Sequence, residues 1–260
     1  MLGRVEVAII PCFKDNYAYL LTSPGSRAAV VVDASETGPV LSALEKKDLT
    51  LGAILSTHHH PDHVGGNADL AARFPGVAIY GSSHDRGRIP GQTHFVSDGD
   101  VIDVHGFSFR CLLVPGHTLG AVAYFGHGAV FTGDTLFAAG CGRLFEGTPA
   151  MMYRSLNEVL GALPPETRIY CGHEYTASNL RFAAHVEPQN RAVAERATRV
   201  AALRDKGEPS VPSTLAEERA TNPFLRCDSA EIIAHMAERL GAMRTPEAVL
   251  GAIRAAKDSF

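Results

Sequence analysis

Short apolar runs recur along the chain from residue 5 to residue 172, and each is bounded by Gly, Pro, Asp or Ser. The runs are rich in Val, Ile, Phe and Tyr, a composition that is typical of β-strands. We interpret nine of them as strands, at residues 5–10, 17–22, 28–33, 52–57, 77–82, 107–114, 121–126, 128–134 and 168–172. Helices are predicted between them at 37–48, from Pro61 to about Phe74, and at 149–162 after an N-cap at Thr148.

The pattern changes after about residue 174, where long segments rich in Ala, Arg and Glu replace the apolar runs. Pro188 begins one such helical segment, and Gly207 lies at its expected C-cap. Asp228 is the predicted N-cap of a second helix, with Glu231 placed as in a capping box, and Thr245–Pro246 starts a third. We therefore predict a strand-rich domain over residues 1–173 and a helical domain over residues 174–260.

Composition narrows the class of protein. The chain has 260 residues, of which 45% are hydrophobic and 20% charged, as is usual for a globular protein with a real core. The net charge of −4 argues against a protein built mainly to bind nucleic acid. Five scattered cysteines suggest a reduced setting rather than a disulfide framework, and no secretory or membrane-spanning run is seen. We expect a cytoplasmic monomer without a membrane or nucleic-acid partner.

A dense group of potential metal ligands directly follows the fourth apolar run. His58 and His60 are two residues apart, so in extended backbone their side chains point the same way. Asp62 and His63 follow Pro61 at the predicted helix start, where a turn brings them back toward the same point. The side chain of His59 is expected to point away from its neighbours, which favours a supporting role for this residue over metal binding.

Three later strands also end in a glycine followed by a potential ligand. Because strand ends converge on a shared rim, we expect these side chains to join the first group. The complete set is His58, His60, Asp62, His63, His117, Asp134 and His173. Seven donors exceed the four that one tetrahedral zinc takes, so they suit two ions that share a bridging carboxylate. Imidazole and carboxylate favour Zn, Fe or Mn. Asp33, at the end of the third run, is a candidate partner for a ligand histidine or a cap.

Several motifs resemble those of a known family. The segments THHHPDH (57–63), PGHT (115–118), FTGDT (131–135) and CGHEY (171–175) resemble the metallo-β-lactamase superfamily. The segments AGCGRLFEGT (139–148), HVEP (185–188), NPFLR (222–226) and RAAKD (254–258) are similar to its glyoxalase II group, the hydroxyacylglutathione hydrolases. The resemblance covers nearly the full chain. It implies an α+β fold, a four-layered αββα sandwich followed by a small helical domain.

The resemblance also implies roles for individual residues. His58, His60 and His117 would hold one divalent metal ion. Asp62, His63 and His173 would hold the other, and Asp134 would bridge the two, with Asp134 and Asp62 as the catalytic carboxylates. The implied metal is zinc, with iron or manganese as alternatives.

The implied substrate-binding residues are Arg143, Phe145, Tyr175, Arg254 and Lys257. Some members have Tyr at the position of Phe145, and a Phe side chain donates no hydrogen bond. Glutathione is net anionic, so an acidic protein needs local cations such as Arg143, Arg254 and Lys257 to bind it.

The implied activity is hydrolysis of S-D-lactoylglutathione and related 2-hydroxyacyl-glutathiones to glutathione and the hydroxy acid. This reaction is the second step of methylglyoxal detoxification, and a hydroxide shared by the two metal ions would attack the thioester. Cys141 is not expected to be the nucleophile, because water already fills that role. The alternatives are a persulfide dioxygenase on the same scaffold, which would oxidise glutathione persulfide at one iron, and a non-enzymatic zinc-binding module. The helical tail and the LFEGT segment argue against the dioxygenase, and the surplus of His and Asp donors argues against a structural zinc site.

Overall fold

The computed structural model describes residues 5–241 and 245–260. Within them, the first sheet has six strands in chain order, with β1–β2 and β2–β3 antiparallel and β3 to β6 parallel. These strands are β1 (Glu6–Cys12), β2 (Asn16–Thr22), β3 (Ala28–Val32), β4 (Thr50–Leu55), β5 (Ala78–Ser82) and β6 (His94–Val96). In the parallel pair β3–β4, Val32 lies beside Leu55, so both strands end at the same edge.

The remaining strands form a second six-stranded sheet and a two-stranded ribbon. They are β7 (Val101–Val104), β8 (Phe107–Leu113), β9 (Val122–Gly126), β10 (Ala129–Gly133), β11 (Leu136–Phe137), β12 (Gly140–Cys141), β13 (Arg168–Cys171) and β14 (Ser213–Thr214). The ribbon consists of β11 and β12. Strands β7 to β10 pair antiparallel in succession, and β13 pairs antiparallel with β14. In β8, Phe107 and Phe109 are buried while Ser108 and Arg110 are exposed, the alternation of a strand with one face on a core.

The helices are α1 (Thr37–Lys46), α2 (Pro61–Val64), α3 (Asn67–Arg73), α4 (Pro149–Tyr153), α5 (Thr176–Val186), α6 (Arg191–Asp205), α7 (Leu215–Thr221), α8 (Ala230–His235), α9 (Ala237–Leu240) and α10 (Pro246–Asp258). Helix α4 continues through a π-helical segment, Arg154–Val159, and a 3₁₀ turn, Leu160–Ala162. Thr148 caps α4 through its hydroxyl, as predicted, and the hydroxyl of Thr245 caps α10 in the same way. In the described part of the chain, no helix combines the length and the apolar character that a membrane crossing needs.

All nine predicted strands are confirmed, and several details of the helices differ from the prediction. The helix predicted after Pro61 is two helices, because the chain at Gly65 and Gly66 passes within contact of the backbone at Ser35 and Ala34. The N-cap predicted at Asp228 is wrong. Ser229 is the N-cap of α8, and Glu231 accepts the backbone N–H of Gln189 instead of closing a capping box. Gly207, with φ +72°, follows a C-cap at Lys206.

Contacts divide the chain into two compact units. The first runs to Leu113 and includes Gly120–Gly133; its core is aliphatic, with Leu20, Val31 and Ile54 fully buried. The second contains Val114–Leu119 and Asp134–Phe260, and Leu180, Val193 and Val200 pack in its helical core. The division into domains at residue 173 stays a prediction.

Candidate metal centre and adjoining cavity

The H-x-H-x-D-H segment turns sharply after β4. The rings of His58 and His60 meet with His58 Nε2 3.1 Å from His60 Nδ1, as the two-residue spacing predicts. Pro61 starts α2, which places Asp62 and His63 in one short helix with His63 Nε2 3.6 Å from Asp62 Oδ2. Asn16 Nδ2 donates to Asp62 Oδ2 at 2.9 Å and fixes that carboxylate. The four predicted ligands of this segment thus lie close together.

Asp33 orients this segment from the end of β3. Its buried carboxylate accepts the backbone N–H of Thr57 at 2.8 Å and the Thr57 hydroxyl at 2.7 Å. The same carboxylate lies 2.9 Å from His63 Nδ1. An imidazole whose Nδ1–H donates to a carboxylate presents Nε2 as its basic nitrogen, here toward Asp62. Of the two roles considered for Asp33, the structure shows contact with a candidate ligand histidine.

Two further predicted ligands, His117 and His173, meet at the carboxylate of a third, Asp134. His117 Nε2 is 3.5 Å from Asp134 Oδ2, and His173 Nε2 is 3.3 Å from the same oxygen. The backbone carbonyl of Arg143 lies 2.8 Å from His117 Nδ1, which directs Nε2 of that ring toward Asp134. The ring of His173 stacks on Tyr175, with ring centroids 4.7 Å apart and planes 3° from parallel.

The seven predicted ligands form two groups, each within one compact unit. The first group follows β4 and consists of His58, His60, Asp62 and His63, and the second consists of His117 and His173 around Asp134. Five imidazoles and two carboxylates exceed the four ligands of one tetrahedral zinc, and two of the rings are already oriented through Nδ1. The donor set therefore fits a pair of divalent metal ions.

His59 lies outside these groups. Its Nδ1 is 3.1 Å from Asp85 Oδ1, and its Nε2 contacts the guanidinium of Arg88. This placement agrees with the expectation that its side chain points away from His58 and His60, and its supporting role stays a prediction.

A cavity of about 410 Å³ contains all five predicted substrate-binding residues together with two predicted metal ligands. Its lining is His117, Asp134, Phe137, Cys141, Gly142, Arg143, Phe145, Tyr175, Ser178, Asn179, Arg254 and Lys257. Sequence reasoning missed Phe137, Ser178 and Asn179, because none of them follows a strand that the apolar pattern predicts or is a charged residue of a motif. Only glycine fits at position 142, because a Cβ there would lie 2.0 Å from the Asp134 carbonyl oxygen.

Three cationic side chains, Arg143, Arg254 and Lys257, line the same cavity. Arg254 is almost fully buried and donates to the Cys141 carbonyl at 2.8 Å and to Asp258 at 3.1 Å. Arg143 approaches the same carboxylate, at 3.6 Å. Burial lowers the pKa of Lys257 to about 8, and the positive charges of Arg254, Arg181 and Arg143 contribute to this lowering of the pKa. Arg254, Arg181 and Arg143 together outnumber the carboxylate of Asp258 near Lys257, and this local excess of positive charge suits an anionic ligand.

The cavity is also lined by two uncharged side chains, Phe145 and Cys141. Phe145 is 64% exposed, and its ring centroid lies 5.2 Å from that of His117, so it offers an apolar wall without a hydroxyl. Cys141 is buried, and burial raises the pKa of its thiol to about 11. A thiol held in its protonated form is a poor nucleophile, which agrees with the interpretation that Cys141 is structural.

Comparison with known proteins agrees with this fold and donor set. Residues 13–173 match the family model described as "Metallo-beta-lactamase superfamily". ETHE1 from Myxococcus xanthus has a similar structure, with a TM-score of 0.67 and 27% identity over 98% of each chain. The structure of TTHA1623 in a di-iron-bound form has a TM-score of 0.53 and 29% identity, covering 65% of this chain and 91% of that one. The chain is a metallo-β-lactamase-fold protein, and the predicted α+β fold class is confirmed.

The helical segment from residue 174 onward identifies the family within this superfamily. Residues 174–260 match the model described as "Hydroxyacylglutathione hydrolase C-terminus". The "Hydroxyacylglutathione hydrolase" of Gloeobacter violaceus is 51% identical over 249 residues, 95% of this chain and 96% of that protein. The chain belongs to the hydroxyacylglutathione hydrolase family, as its motifs predict.

Proposed function

We infer that this protein is a hydroxyacylglutathione hydrolase, which cleaves S-D-lactoylglutathione and related 2-hydroxyacyl-glutathiones to glutathione and the free hydroxy acid. The observation that carries this inference is the cavity in which candidate metal ligands His117 and Asp134 lie beside Arg143, Arg254 and Lys257. An enzyme that hydrolyses a thioester of an anionic thiol such as glutathione needs a hydrolytic centre and, beside it, a cationic surface that binds the thiol part. The family name of the full-length relatives supports the same activity.

We propose that His58, His60 and His117 hold one metal ion and that Asp62, His63 and His173 hold the other, with Asp134 as the shared ligand. Zinc is our first choice, and the di-iron form of TTHA1623 makes iron the main alternative. When bound, such ions lower the pKa of a water to near neutrality and polarise a carbonyl group. Asp33 and the Arg143 carbonyl keep the rings of His63 and His117 turned toward the centre.

The substrate carrier is the part that the chain's own side chains bind. Glutathione has two carboxylates and one ammonium, and we assign its carboxylates to Arg143, Arg254 and Lys257. Tyr175, fixed against His173, offers a hydroxyl at the same cavity. The leaving thiol is far more acidic than an alcohol, so no general acid is required to expel it.

Two finer expectations belong to the same proposal. The five cysteines are all free and buried, which fits a reduced compartment, and we propose that the enzyme works in the cytoplasm as a monomer. The persulfide dioxygenase alternative is disfavoured, because the donor set suits two ions and the relatives share the hydrolase name. Oxygen uptake with glutathione persulfide, in place of thioester hydrolysis, is the result that would revive it.

The test compares two D-lactoyl thioesters, one of glutathione and one of N-acetylcysteamine, which lacks the carboxylates. Replacing Arg143 and Lys257 together by Gln should raise KM for the glutathione thioester roughly 100-fold or more, because each of the two lost charge-assisted hydrogen bonds costs about 1.5–3 kcal/mol. Hydrolysis of the short thioester should stay unchanged. Lys206→Gln, at an exposed helix end, is the matched control. Equal use of both thioesters by the unaltered protein would refute the glutathione assignment.

A further inference from the structure

The ribbon of β11 and β12 lies between two parts of the candidate active site in the sequence. Asp134 precedes the ribbon and Arg143 follows it. Its turn is made by Ala138 and Ala139, and Ala139 has φ +57°, a left-handed conformation that costs energy in any residue with a Cβ. Such a turn persists only where its surroundings hold it in place.

Backbone carbonyls in β12 and just after it orient two site residues. The Cys141 carbonyl accepts a hydrogen bond from Arg254 Nη1 at 2.8 Å, and the Arg143 carbonyl lies 2.8 Å from His117 Nδ1. A shift of the ribbon would therefore turn the His117 ring and move the Arg254 guanidinium together.

A buried carboxylate outside the cavity holds the strained turn. Glu218, on α7, is completely buried, and its Oε2 accepts the backbone N–H of Ala139 at 2.7 Å. Asn222, one helical turn later, donates from Nδ2 to the carbonyls of Phe137 and Gly140 and to Glu218. These two side chains thus bind the ribbon through its backbone.

The charge of Glu218 is balanced from a third element. Arg196 on α6 is 2% exposed and donates from Nη2 to Glu218 Oε1 at 2.6 Å and from Nη1 to the hydroxyl of Thr221. Since a buried carboxylate is stable only when paired and hydrogen-bonded, the ion pair with Arg196 compensates for the burial of the carboxylate that accepts from Ala139.

We propose that Glu218, supported by Arg196 and Asn222, is a positioning residue that sets the ribbon and, through it, the orientation of His117 and Arg254. The helical tail then contributes to catalysis in a second way besides supplying Arg254 and Lys257. The part that concerns substrate rests on the proposed function, whereas the part that concerns the ribbon does not.

Glu218→Gln tests the proposal with little change in volume. A glutamine amide has one acceptor end and one donor end, so its NH₂ must face the donor of either Ala139 or Arg196. The double variant Arg196→Gln with Glu218→Gln removes this conflict. The amide oxygen introduced at position 196 can accept from the NH₂ introduced at position 218, which leaves the amide oxygen at position 218 to face Ala139. Glu217→Gln is the matched control, since Glu217 contacts Arg196 and Arg199 from a partly exposed position.

Three measurements are made on each folded variant: amide hydrogen exchange of residues 138–143, zinc retained after dialysis, and KM and kcat for S-D-lactoylglutathione. Glu218→Gln should exchange these amides faster, bind zinc roughly tenfold more weakly and show a KM roughly tenfold higher, as for loss of an outer partner of a metal site. The double variant should restore all three properties, and Glu217→Gln should match the unaltered protein.

The proposal is overturned if Glu218→Gln equals Glu217→Gln in exchange and zinc affinity, or if the double variant stays as impaired as the single one. A variant that only lowers the melting temperature, with these readouts unchanged, also overturns it. Should the unaltered protein fail to hydrolyse the thioester, the proposed function fails, while hydrogen exchange and zinc binding still decide the role of Glu218. If Glu218→Gln does not fold, Asn222→Ser, which removes the donors to Phe137 and Gly140, takes its place with the same expected changes.

Discussion

Lys257 and Arg254 lie one turn apart on α10, and their surroundings give them different tasks. Arg254 is fixed by the Cys141 carbonyl and by Asp258, so its geometry is set before any ligand arrives. Lys257 has a weaker anchor, the Ser178 carbonyl at 3.5 Å from its Nζ. A flexible ammonium among guanidinium groups is the member of the pair whose charge depends on pH.

The lowered pKa of Lys257 predicts how activity depends on pH. Its ammonium is fully charged well below pH 8 and is lost as the pH rises through the folded-state pKa of about 8, so binding of an anionic carrier weakens above that pH. We expect kcat/KM for S-D-lactoylglutathione to fall above about pH 8, and Lys257→Arg to move the fall upward because arginine keeps its charge. The thioester of N-acetylcysteamine should show no such fall. A Lys257→Arg profile that overlays the original would exclude Lys257 as its cause.

At the scale of elements, hydrogen bonds to one carboxylate connect the ends of β3 and β4 and the helix α2. Asp33 follows β3, Thr57 follows β4, and His63 lies in α2; the carboxylate of Asp33 contacts both of the others. Asp33 has φ +52°, a conformation that Asp and Asn tolerate better than other residues with a side chain. The position therefore combines a backbone requirement with a hydrogen-bonding one.

Asp33→Asn separates these two requirements. Asn keeps the backbone conformation but replaces the charged acceptor facing His63 Nδ1, so metal affinity should fall roughly 10- to 100-fold while the fold is retained. Asp48→Asn is the control, because Asp48 has the same φ of +52° in an exposed ion pair with Arg27. Metal titration of both variants provides the measurement. An equal loss of affinity in both would assign the effect to the backbone.

The elements also show what local sequence can and cannot predict. The candidate ligands after β4, β8, β10 and β13 were predictable because each strand has a clear apolar pattern that ends in Gly or Thr and then a potential donor. The ribbon of β11 and β12 was not, since two-residue strands have no period to detect. Its partner Glu218 lies 79 residues from Ala139, and nothing in a window around either residue indicates that contact. The wrong cap at Asp228 has a similar cause, because the partner of Glu231 is the distant Gln189.

Across the whole molecule, positive charge is concentrated at one cavity and the thiols are buried. The chain has a net charge of −4, yet Arg143, Arg254 and Lys257 line one cavity, so attraction of an anionic thioester is local rather than general. All five cysteines are buried, and burial raises the pKa of each thiol above its usual value. In an assay that measures released thiol, the glutathione set free by the proposed reaction would therefore react, and the protein thiols would not.

Thiol labelling checks this arrangement. A thiol with a pKa of about 11 is thiolate in roughly one molecule in a thousand at pH 8, and burial blocks the reagent as well. We expect an aromatic disulfide reagent to label fewer than about one thiol per native chain and all five in denaturant. Rapid labelling of Cys141 in the native protein would contradict its structural role and make it a candidate nucleophile.

The hydrolytic centre itself is tested by titrating the metal-free protein with zinc while following hydrolysis of S-D-lactoylglutathione. The proposed pair of metal ions predicts that turnover rises until two equivalents of zinc are bound per chain. Asp134→Ala, which removes the proposed shared ligand, should bind less than two equivalents and lose most of its turnover. Full activity at one equivalent, or hydrolysis that does not depend on added metal, would contradict a two-metal thioester hydrolase.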